Sequence, residues 1–270
     1  MNDERHKLIQ QMLEAIRQTS AHYGLWLAES VHQVGLETAL EAEQEAGDRL
    51  TGILEHRLCR VFGKKSMEEI CAGMDDDTLS DLVKSLHTSW LAADGVWFQA
   101  IESRCGMGDA KRVNDTCWSR FAPLEAKRIK ALFDLPENGG LEALKLALSK
   151  RMYAHINIWE IVEETETSFI FRMNKCRVQT ARNRKGLDDY PCKSGGQVEY
   201  TSFAREIDPR IVTECIGCPP DPHPKEWYCA WGASATSGTP IDNRKFHEFG
   251  ADFSCPKGSN SGSSVVQAGF

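Results

Sequence analysis

Residues 156–179 read INIWEIVEETETSFIFRMNKCRVQ, and the character of the chain changes within them. Apolar and polar residues alternate over 156–164 and again over 167–179, which is typical of two half-buried β-strands. The polar residues ETET at 164–167 predict the hairpin turn between the two strands. Farther along, VEYTSFAREI predicts a short helix, and RIVTECIG and WYCAWGA predict two more strands. We therefore expect residues 151–233 to form a small antiparallel sheet with at least one helix.

The first 150 residues carry a helical pattern and contain an internal repeat. Apolar residues recur at spacings of three and four, as in HKLIQQMLEAIRQT and LEALKLALSKRM. Shifting the sequence against itself by 71 residues aligns residues 24–62 with 95–133. The shift pairs Gly24 with Gly95, Trp26 with Trp97 and Gly35 with Gly106. The helical region 1–150 is therefore predicted to contain a duplicated helical hairpin.

This repeat has two interpretations. In the first, its glycines and tryptophans serve only to pack helices closely. In the second, the two copies face a pocket and the second copy binds a ligand, because GVWFQAIE places polar groups beside a bulky aromatic side chain. The predicted substrate-binding residues of that copy are Trp97, Gln99, Glu102, Asn114 and Trp118.

The two regions together predict an α+β fold in which duplicated helical hairpins pack on a small antiparallel sheet. The remaining segment, 234–270, is rich in serine, glycine, threonine and asparagine. That composition is typical of a low-complexity tail, and we expect little function there.

The bulk composition excludes several classes of protein. The chain has 270 residues and a net charge of −7, whereas general nucleic-acid binders normally carry an excess of basic residues. It has no apolar run long enough to span a membrane, and its start, MNDERHKLIQQ, does not resemble a signal peptide. We therefore expect a cytoplasmic protein that binds a small molecule rather than nucleic acid or a membrane. The sequence leaves open whether the protein forms a homodimer.

Ten cysteines are many for a cytosolic chain, and they point to metal ligation or reactive thiols before disulfides. The spacing Cys215-x2-Cys218-x10-Cys229, with Cys192 earlier, predicts four thiolate ligands for one metal centre. Four thiolates fit zinc or, alternatively, a [4Fe–4S] cluster. His223 and Cys176 are alternative ligands, and separate free cysteines in a thiol-rich core are a further alternative.

A basic segment, FRMNKCRVQTARNRKGL at 171–187, lies within this acidic protein. Its charges could simply discourage pairing at the edge of the sheet. Alternatively, Arg177 and Arg182 could bind a carboxylate or phosphate in bidentate fashion. Cys176, which lies between Lys175 and Arg177, and His223 are the candidate catalytic residues for a nucleophilic or general-base step.

The stretch NKCRVQTARNRKGL…ECIGCPPDPHPKEWYCAW, together with DGVWFQAIE…CWSRFAPLEAKRIKAL, resembles a family of cytosolic bacterial proteins common in anaerobes. The resemblance covers roughly residues 20–231. These proteins are grouped near the 2-amino-thiazoline-4-carboxylate hydrolase family. That neighbour implies the opening of a small ring acid that contains sulfur and nitrogen.

The C-terminal half also resembles the 4-vinyl reductase domain. This resemblance implies an α/β fold that binds small molecules, with a metal held by cysteines and an acidic residue beside a hydrophobic pocket. Carried over by position, the metal ligands are Cys192, Cys215, Cys218 and Cys229. Cys215 stands at the position of the acidic residue, which implies a closed site made of thiolates alone.

The expected function is that of a metal-binding enzyme that hydrolyses a small anionic molecule, and the resemblance implies a molecule that contains sulfur and nitrogen. Two alternatives remain at this point: a zinc-stapled module that binds or senses a small molecule without catalysis, and an iron–sulfur redox protein.

Overall fold

The computed structural model describes residues 3–235 and shows a mixed α+β fold. Its helices are α1 (Asp3–Val34), α2 (Leu36–Phe62), α3 (Met67–Cys71), α4 (Asp76–Cys105), α5 (Met107–Leu132), α6 (Gly140–Lys150), α7 (Arg177–Arg184) and α8 (Lys193–Ile207), with a 3₁₀ turn at Met152–His155. Its strands are β1 (Ile158–Val162), β2 (Ser168–Lys175), β3 (Ile211–Gly217) and β4 (Cys229–Ala235).

The predicted repeat is visible in the backbone as two helical hairpins, α1–α2 and α4–α5. A glycine joins the helices of each hairpin: Gly35 has φ 85° and ψ 162°, and Gly106 has φ 86° and ψ 169°. This region of φ and ψ is essentially open only to glycine, because a Cβ atom would clash with the peptide groups on either side of it. Ala39 and Ala110, each four residues past its glycine, are both 1% exposed, so the two hairpins also share their close packing.

The four strands form one antiparallel sheet in the order β1-β2-β4-β3. The predicted hairpin of β1 and β2 is confirmed, as are the two later strands. Cys215 pairs with Trp231 and Met173 pairs with Cys229, so these side chains share one face of the sheet. The strand carrying Cys229 thus returns beside the strand carrying Cys215, as the sequence predicts.

One element differs from the prediction. The second strand ends at Lys175, and residues 177–184 form helix α7 instead of a strand end and a basic loop. The Arg177 amide donates to Asn157 Oδ1 at 2.8 Å, and the Thr180 amide donates to the Cys176 carbonyl at 2.9 Å. These bonds satisfy backbone groups in the first turn, and RVQTARNR contains no glycine or proline to interrupt a helix.

The core joins the second hairpin to the sheet. Ala122 and Ala126 of α5 are 0% exposed, and their small side chains allow α8 to pack closely against α5. Phe203 of α8, also 0% exposed, belongs to the same buried cluster as the inward-facing residues of β2 and β4. Helices α5 and α6 therefore share a core with residues 151–233. The first hairpin meets the second between α2 and α5, where Arg128 Nη1 lies 2.7 Å from Asp48 Oδ1.

The predicted tail at 234–270 lies outside the described residues except for its first two, which end β4. Within residues 3–235, no helix has both the length and the apolar character needed to cross a membrane.

Candidate functional site

A cavity of about 510 Å³ lies between helices α4, α5, α7 and α8 and the adjoining face of the sheet. A volume of this size accommodates a small organic ligand. Its walls combine aromatic rings, amides, charged groups and thiols. Seven of the side chains predicted to act in binding or catalysis line it: Gln99, Glu102, Asn114, Trp118, Cys176, Arg177 and Arg182.

The cavity belongs to the second hairpin, at a position that the first hairpin fills. In the first hairpin, the Tyr23 hydroxyl donates to Glu43 Oε1 at 2.7 Å, and Gly47 leaves room for the Tyr23 ring. The repeat places Asp94, Asn114 and Trp118 at the corresponding positions. There the Asn114 amide donates to Asp94 Oδ1 at 3.3 Å, and all three residues line the cavity. In the second copy these positions therefore border the cavity.

Trp97 does not line the cavity, which corrects its predicted place in the wall. Its side chain is 70% exposed. Successive residues turn by about 100° around a helix, so Trp97 points away from the face of α4 that carries Asp94, Phe98 and Glu102. Trp26, its counterpart in the first hairpin, is 67% exposed.

His223 also lies outside the cavity lining, in the loop between β3 and β4. Its Nε2 is 2.9 Å from Asp189 Oδ2, and its Nδ1 is 2.8 Å from the Pro224 carbonyl oxygen. Burial opposes a charge on this ring, but the hydrogen bonds with Asp189 and Pro224 outweigh it and raise the pKa of His223. A protonated ring would hold the loop against the segment before α8, a role distinct from that of a base in the cavity.

Four thiols line the cavity, and three of them belong to the predicted metal set: Cys192, Cys218 and Cys229, with Cys176 as the fourth. The sulfur of Cys192 is 3.5 Å from that of Cys218. Hydrogen bonding with Cys218 is the largest cause of a lowered pKa at Cys192. Contacts with the Cys192 and Cys229 sulfurs, followed by burial, raise the pKa of Cys218, so its thiol lies between those two groups.

Helix ends and one buried amide position the thiols. Cys176 and Cys192 directly precede α7 and α8, where the positive end of a helix dipole favours a thiolate. Gln179 is 1% exposed, and its Nε2 donates to the Tyr190 carbonyl at 2.9 Å and to the Cys192 sulfur at 3.4 Å. The Tyr190 amide donates back to Gln179 Oε1 at 2.7 Å. Gln179 thereby fixes the segment that presents Cys192.

Cys215, the other predicted ligand, does not line the cavity. Burial raises its pKa, and the positive charge of Lys193 opposes this effect. Among residues 3–235, no three His, Cys, Asp or Glu side chains are already arranged as a group that could hold a metal ion. The structure thus gathers thiols without showing a finished metal site.

A buried ion cluster adjoins the cavity. Arg151, 2% exposed, lies 2.7 Å through Nη2 from Glu125 Oε2 and 2.7 Å through Nη1 from Glu199 Oε1. Its Nε also donates to Glu125 Oε2 at 2.8 Å. Glu199 is the member of the cluster that lines the cavity. Burial raises the pKa of Glu199 to about 7 against the opposing effect of Arg151, so this carboxyl group titrates near neutrality.

Aromatic rings form much of the remaining wall. Tyr200 stacks on Trp231 with ring centroids 5.0 Å apart, and Trp118 stacks on Tyr153 at 5.6 Å. Burial raises the pKa of Tyr153 and of Tyr200 well above the ordinary value, so both keep their hydroxyl protons at neutral pH.

The sequence interpretation missed Glu199, Arg151 and Asp94. Glu199 had a detectable signal, because it falls on the same helical face as Phe203 and Ile207 in VEYTSFAREI, and an acidic residue on a core-facing stripe is unusual. Arg151 and Asp94 follow ordinary helical patterns, and their burial depends on contacts that are distant in sequence.

Residues 72–234 match the model of DUF6125, described as a family of unknown function. The match includes the second hairpin, the sheet and every cavity-lining residue named above. No curated protein matches the chain.

Proposed function

This chain belongs to the DUF6125 family, and we propose that it is a metal-binding protein that takes a small molecule into the cavity beside its four thiols. The observation that carries the proposal is the convergence of Cys176, Cys192, Cys218 and Cys229 on one cavity wall. These thiols come from three separate parts of the chain. Cysteines without a shared role would not be expected to lie together on one cavity wall.

The separation of one pair of sulfurs supports a shared metal ion. Zinc binds thiolates at about 2.3 Å in a tetrahedron, which places pairs of sulfurs about 3.8 Å apart. The observed distance between the Cys192 and Cys218 sulfurs, 3.5 Å, is close to that value. In a [4Fe–4S] cluster each thiolate binds a different iron, which spreads the sulfurs farther apart. We therefore propose zinc, with a [4Fe–4S] cluster as the alternative.

Cys176 takes the place of Cys215 in the proposed ligand set. Cys176 lines the cavity with the other three thiols, whereas Cys215 does not. A zinc ion held by four thiolates has no open position and acts as a structural staple. These ligands would fasten the end of β2, the start of α8 and the loop before β4, which together form one wall of the cavity.

The residues around the cavity support binding better than nucleophilic catalysis. Burial raises the pKa of Cys176 to about 12, so its thiol in the metal-free protein is not activated as a nucleophile. His223 lies outside the cavity lining. Neither predicted catalytic residue therefore combines access to the cavity with the required reactivity.

Hydrolysis is a second candidate, supported by Glu199. A carboxyl group with a pKa of about 7 in a cavity wall has the properties of a general base or acid at neutral pH. In this second candidate Glu199, rather than Cys176 or His223, would accept a proton from the water molecule that attacks a small carboxylate-bearing substrate.

Both family resemblances remain predictions within this proposal. A thiol-bound metal beside a hydrophobic pocket is the arrangement that the 4-vinyl reductase resemblance implies. The resemblance to the 2-amino-thiazoline-4-carboxylate hydrolase family supports the second candidate. A cytoplasmic location and a homodimer also remain predictions.

Elemental analysis with an absorption spectrum, on protein purified without oxygen, tests the proposal. We expect one zinc per chain and no visible colour, with the metal lost in Cys218→Ser and kept in Cys105→Ser, a control at an exposed cysteine. Iron with acid-labile sulfide and broad visible absorption would favour the redox alternative. Native protein without metal, even after zinc is added during refolding, would contradict the proposal.

A further inference from the structure

The charges that line the cavity are separated by sign onto different elements. Glu102 and Asp94 lie on α4, and Glu199 lies on α8. The cationic side chains Arg177 and Arg182 lie on α7. A ligand in this cavity therefore faces acidic groups on one side and arginines on another.

On the acidic side one guanidinium faces two carboxyl groups, and burial raises the pKa of Glu199 to about 7, which leaves this group partly protonated at neutral pH. Arg151 has one positive charge but faces two carboxylates, Glu125 and Glu199. Glu125 accepts a hydrogen bond from Nε, and Nη2 lies 2.7 Å from it, whereas only Nη1 approaches Glu199, whose Oε1 accepts no hydrogen bond from residues 3–235. A carboxylate has room for about four hydrogen bonds, so Glu199 can accept more from a ligand in the cavity. A donor that carries positive charge would also balance the cluster.

The aromatic wall beside Glu199 favours the same kind of group. The stacked pair of Tyr200 and Trp231 and the stacked pair of Trp118 and Tyr153 both border the cavity. The face of an aromatic ring attracts cations and also packs against flat apolar groups.

The arginine side has free donors of the opposite kind. Arg182 uses its Nε to donate to the Asp188 carbonyl at 2.8 Å, and its guanidinium lies 6.0 Å from the centroid of the Tyr190 ring. Its terminal nitrogens form no hydrogen bond with other groups in residues 3–235, so they can donate to a ligand. Arg177 is exposed and lies five residues earlier on the same helix, about 1.4 turns, so the two guanidinium groups leave α7 in different directions. Both side chains line the cavity, where either one can pair with a carboxylate.

From this arrangement we propose that the cavity binds a zwitterionic ligand with an aromatic or similarly flat body. Its ammonium or other cationic N–H group bonds to Glu199 and Asp94, and its carboxylate pairs with Arg177 and Arg182. The inference deepens the proposed function and rests on it, since it assigns a ligand class to the same cavity. An indole with a short side chain is of a size that a cavity of about 510 Å³ holds.

Four probes with the same ring and different charges measure the contributions of the acidic side and the arginine side to binding separately. They are indole, tryptamine, indole-3-propionate and tryptophan, which are neutral, cationic, anionic and zwitterionic at neutral pH. Binding to the full, metal-loaded chain is measured by isothermal titration calorimetry at moderate salt. We expect tryptophan to bind about tenfold more tightly than tryptamine or indole-3-propionate, and indole to bind most weakly.

Two variants test which residues bind the cationic group and the carboxylate of the ligand, and a third serves as control. Glu199→Gln keeps the side-chain shape and should abolish the tighter binding of tryptamine relative to indole. The double variant Arg177→Gln with Arg182→Gln should abolish the tighter binding of indole-3-propionate relative to indole. Glu160→Gln removes a carboxylate that pairs with Arg172 on the sheet, outside the cavity lining, and should leave the ranking unchanged.

Equal binding of indole and tryptophan, or an unchanged ranking in Glu199→Gln, would overturn the zwitterion proposal while leaving a ligand cavity in place. If none of the four probes binds to the metal-loaded chain, the proposal of a small-molecule site fails as well. Loss of metal from native protein bears on the thiol site alone, so these failures are distinguishable.

Discussion

The sulfur of Cys192 lies 3.5 Å from the sulfur of Cys218, although the two residues are 26 positions apart in the chain. The first turn of α8 and the loop after β3 meet at this contact. The Lys193 amide donates to the Pro219 carbonyl at 2.9 Å, and Lys193 Nζ lies 2.7 Å from Asp221 Oδ2. The backbone and an ion pair therefore hold these two thiols together without a metal.

Glu199 should make the stability of the native protein fall as pH rises through the weakly acidic range. Burial raises its pKa from 4.5 to about 7 in the folded protein. Between these values the folded state keeps a proton that the unfolded state has lost, so the free energy of unfolding decreases with increasing pH. The decrease attributable to Glu199 is about 3 kcal/mol.

Urea unfolding of native protein and Glu199→Gln at pH 4.5, 6 and 7.5 measures this effect. We expect the variant to lack the decrease, because glutamine does not titrate. Glu160→Gln, which removes a half-exposed carboxylate on β1, should behave like the native protein. The same decrease in Glu199→Gln would show that another group is responsible.

Gly106 should be required for the second hairpin because of its backbone conformation alone. Its φ is 86°, and a Cβ atom added there would meet no atom within 4 Å. Gly106→Ala is therefore expected to lower the free energy of unfolding by about 1–3 kcal/mol through backbone strain. Gly108→Ala is the matched control: this glycine lies in α5 with equally open space, so alanine should be neutral or stabilising by up to about 1 kcal/mol. Equal stabilities of the two variants, measured by urea unfolding, would contradict the argument.

Gly196 should be required for the contact between α8 and the aromatic wall. A Cβ atom at this position would lie 2.5 Å from Cζ2 of Trp231, whose ring is buried and stacked on Tyr200. Gly196→Ala should therefore cost about 1–3 kcal/mol of stability, despite the better helix propensity of alanine. Thermal unfolding compares it with Gly52→Ala, in an exposed part of α2 where a Cβ meets nothing within 4 Å. A Gly196→Ala protein as stable as Gly52→Ala would show that the indole ring moves freely.

The fold was largely predictable because its signals are local. The alternation in 156–179 indicates two strands and a turn, and the repeat predicts both hairpins. The role of Gly35 and Gly106 was not predicted, since the glycines of the repeat were expected to pack helices and these two join them instead. Helix α7 was not predicted, because its start depends on Asn157, a residue on the far side of the β-hairpin.

The site was predictable only where its residues share one local pattern. Gln99 and Glu102 lie on the cavity face of α4, whereas Trp97, in the same motif, points elsewhere because a motif does not specify the direction of a helical side chain. The ion cluster of Arg151, Glu125 and Glu199 joins three helical segments, and no spacing in the sequence predicts that contact.

The choice between Cys176 and Cys215 depends on the same long-range packing. Cys215 belongs to the Cys-x2-Cys motif itself, whereas Cys176 lies much earlier in the chain, so spacing alone favours Cys215. The turn from β2 into α7 brings Cys176 to the cavity wall with the other thiols.

The zinc content of Cys176→Ser compared with Cys215→Ser tests the central claim most directly. Both proteins are purified without oxygen, shown to be folded by circular dichroism and measured by elemental analysis after competition with a chelator. The proposed ligand set predicts that Cys176→Ser loses its zinc and that Cys215→Ser retains one zinc per chain, like the native protein. Retention in Cys176→Ser with loss in Cys215→Ser would contradict it and restore the ligand set read from spacing.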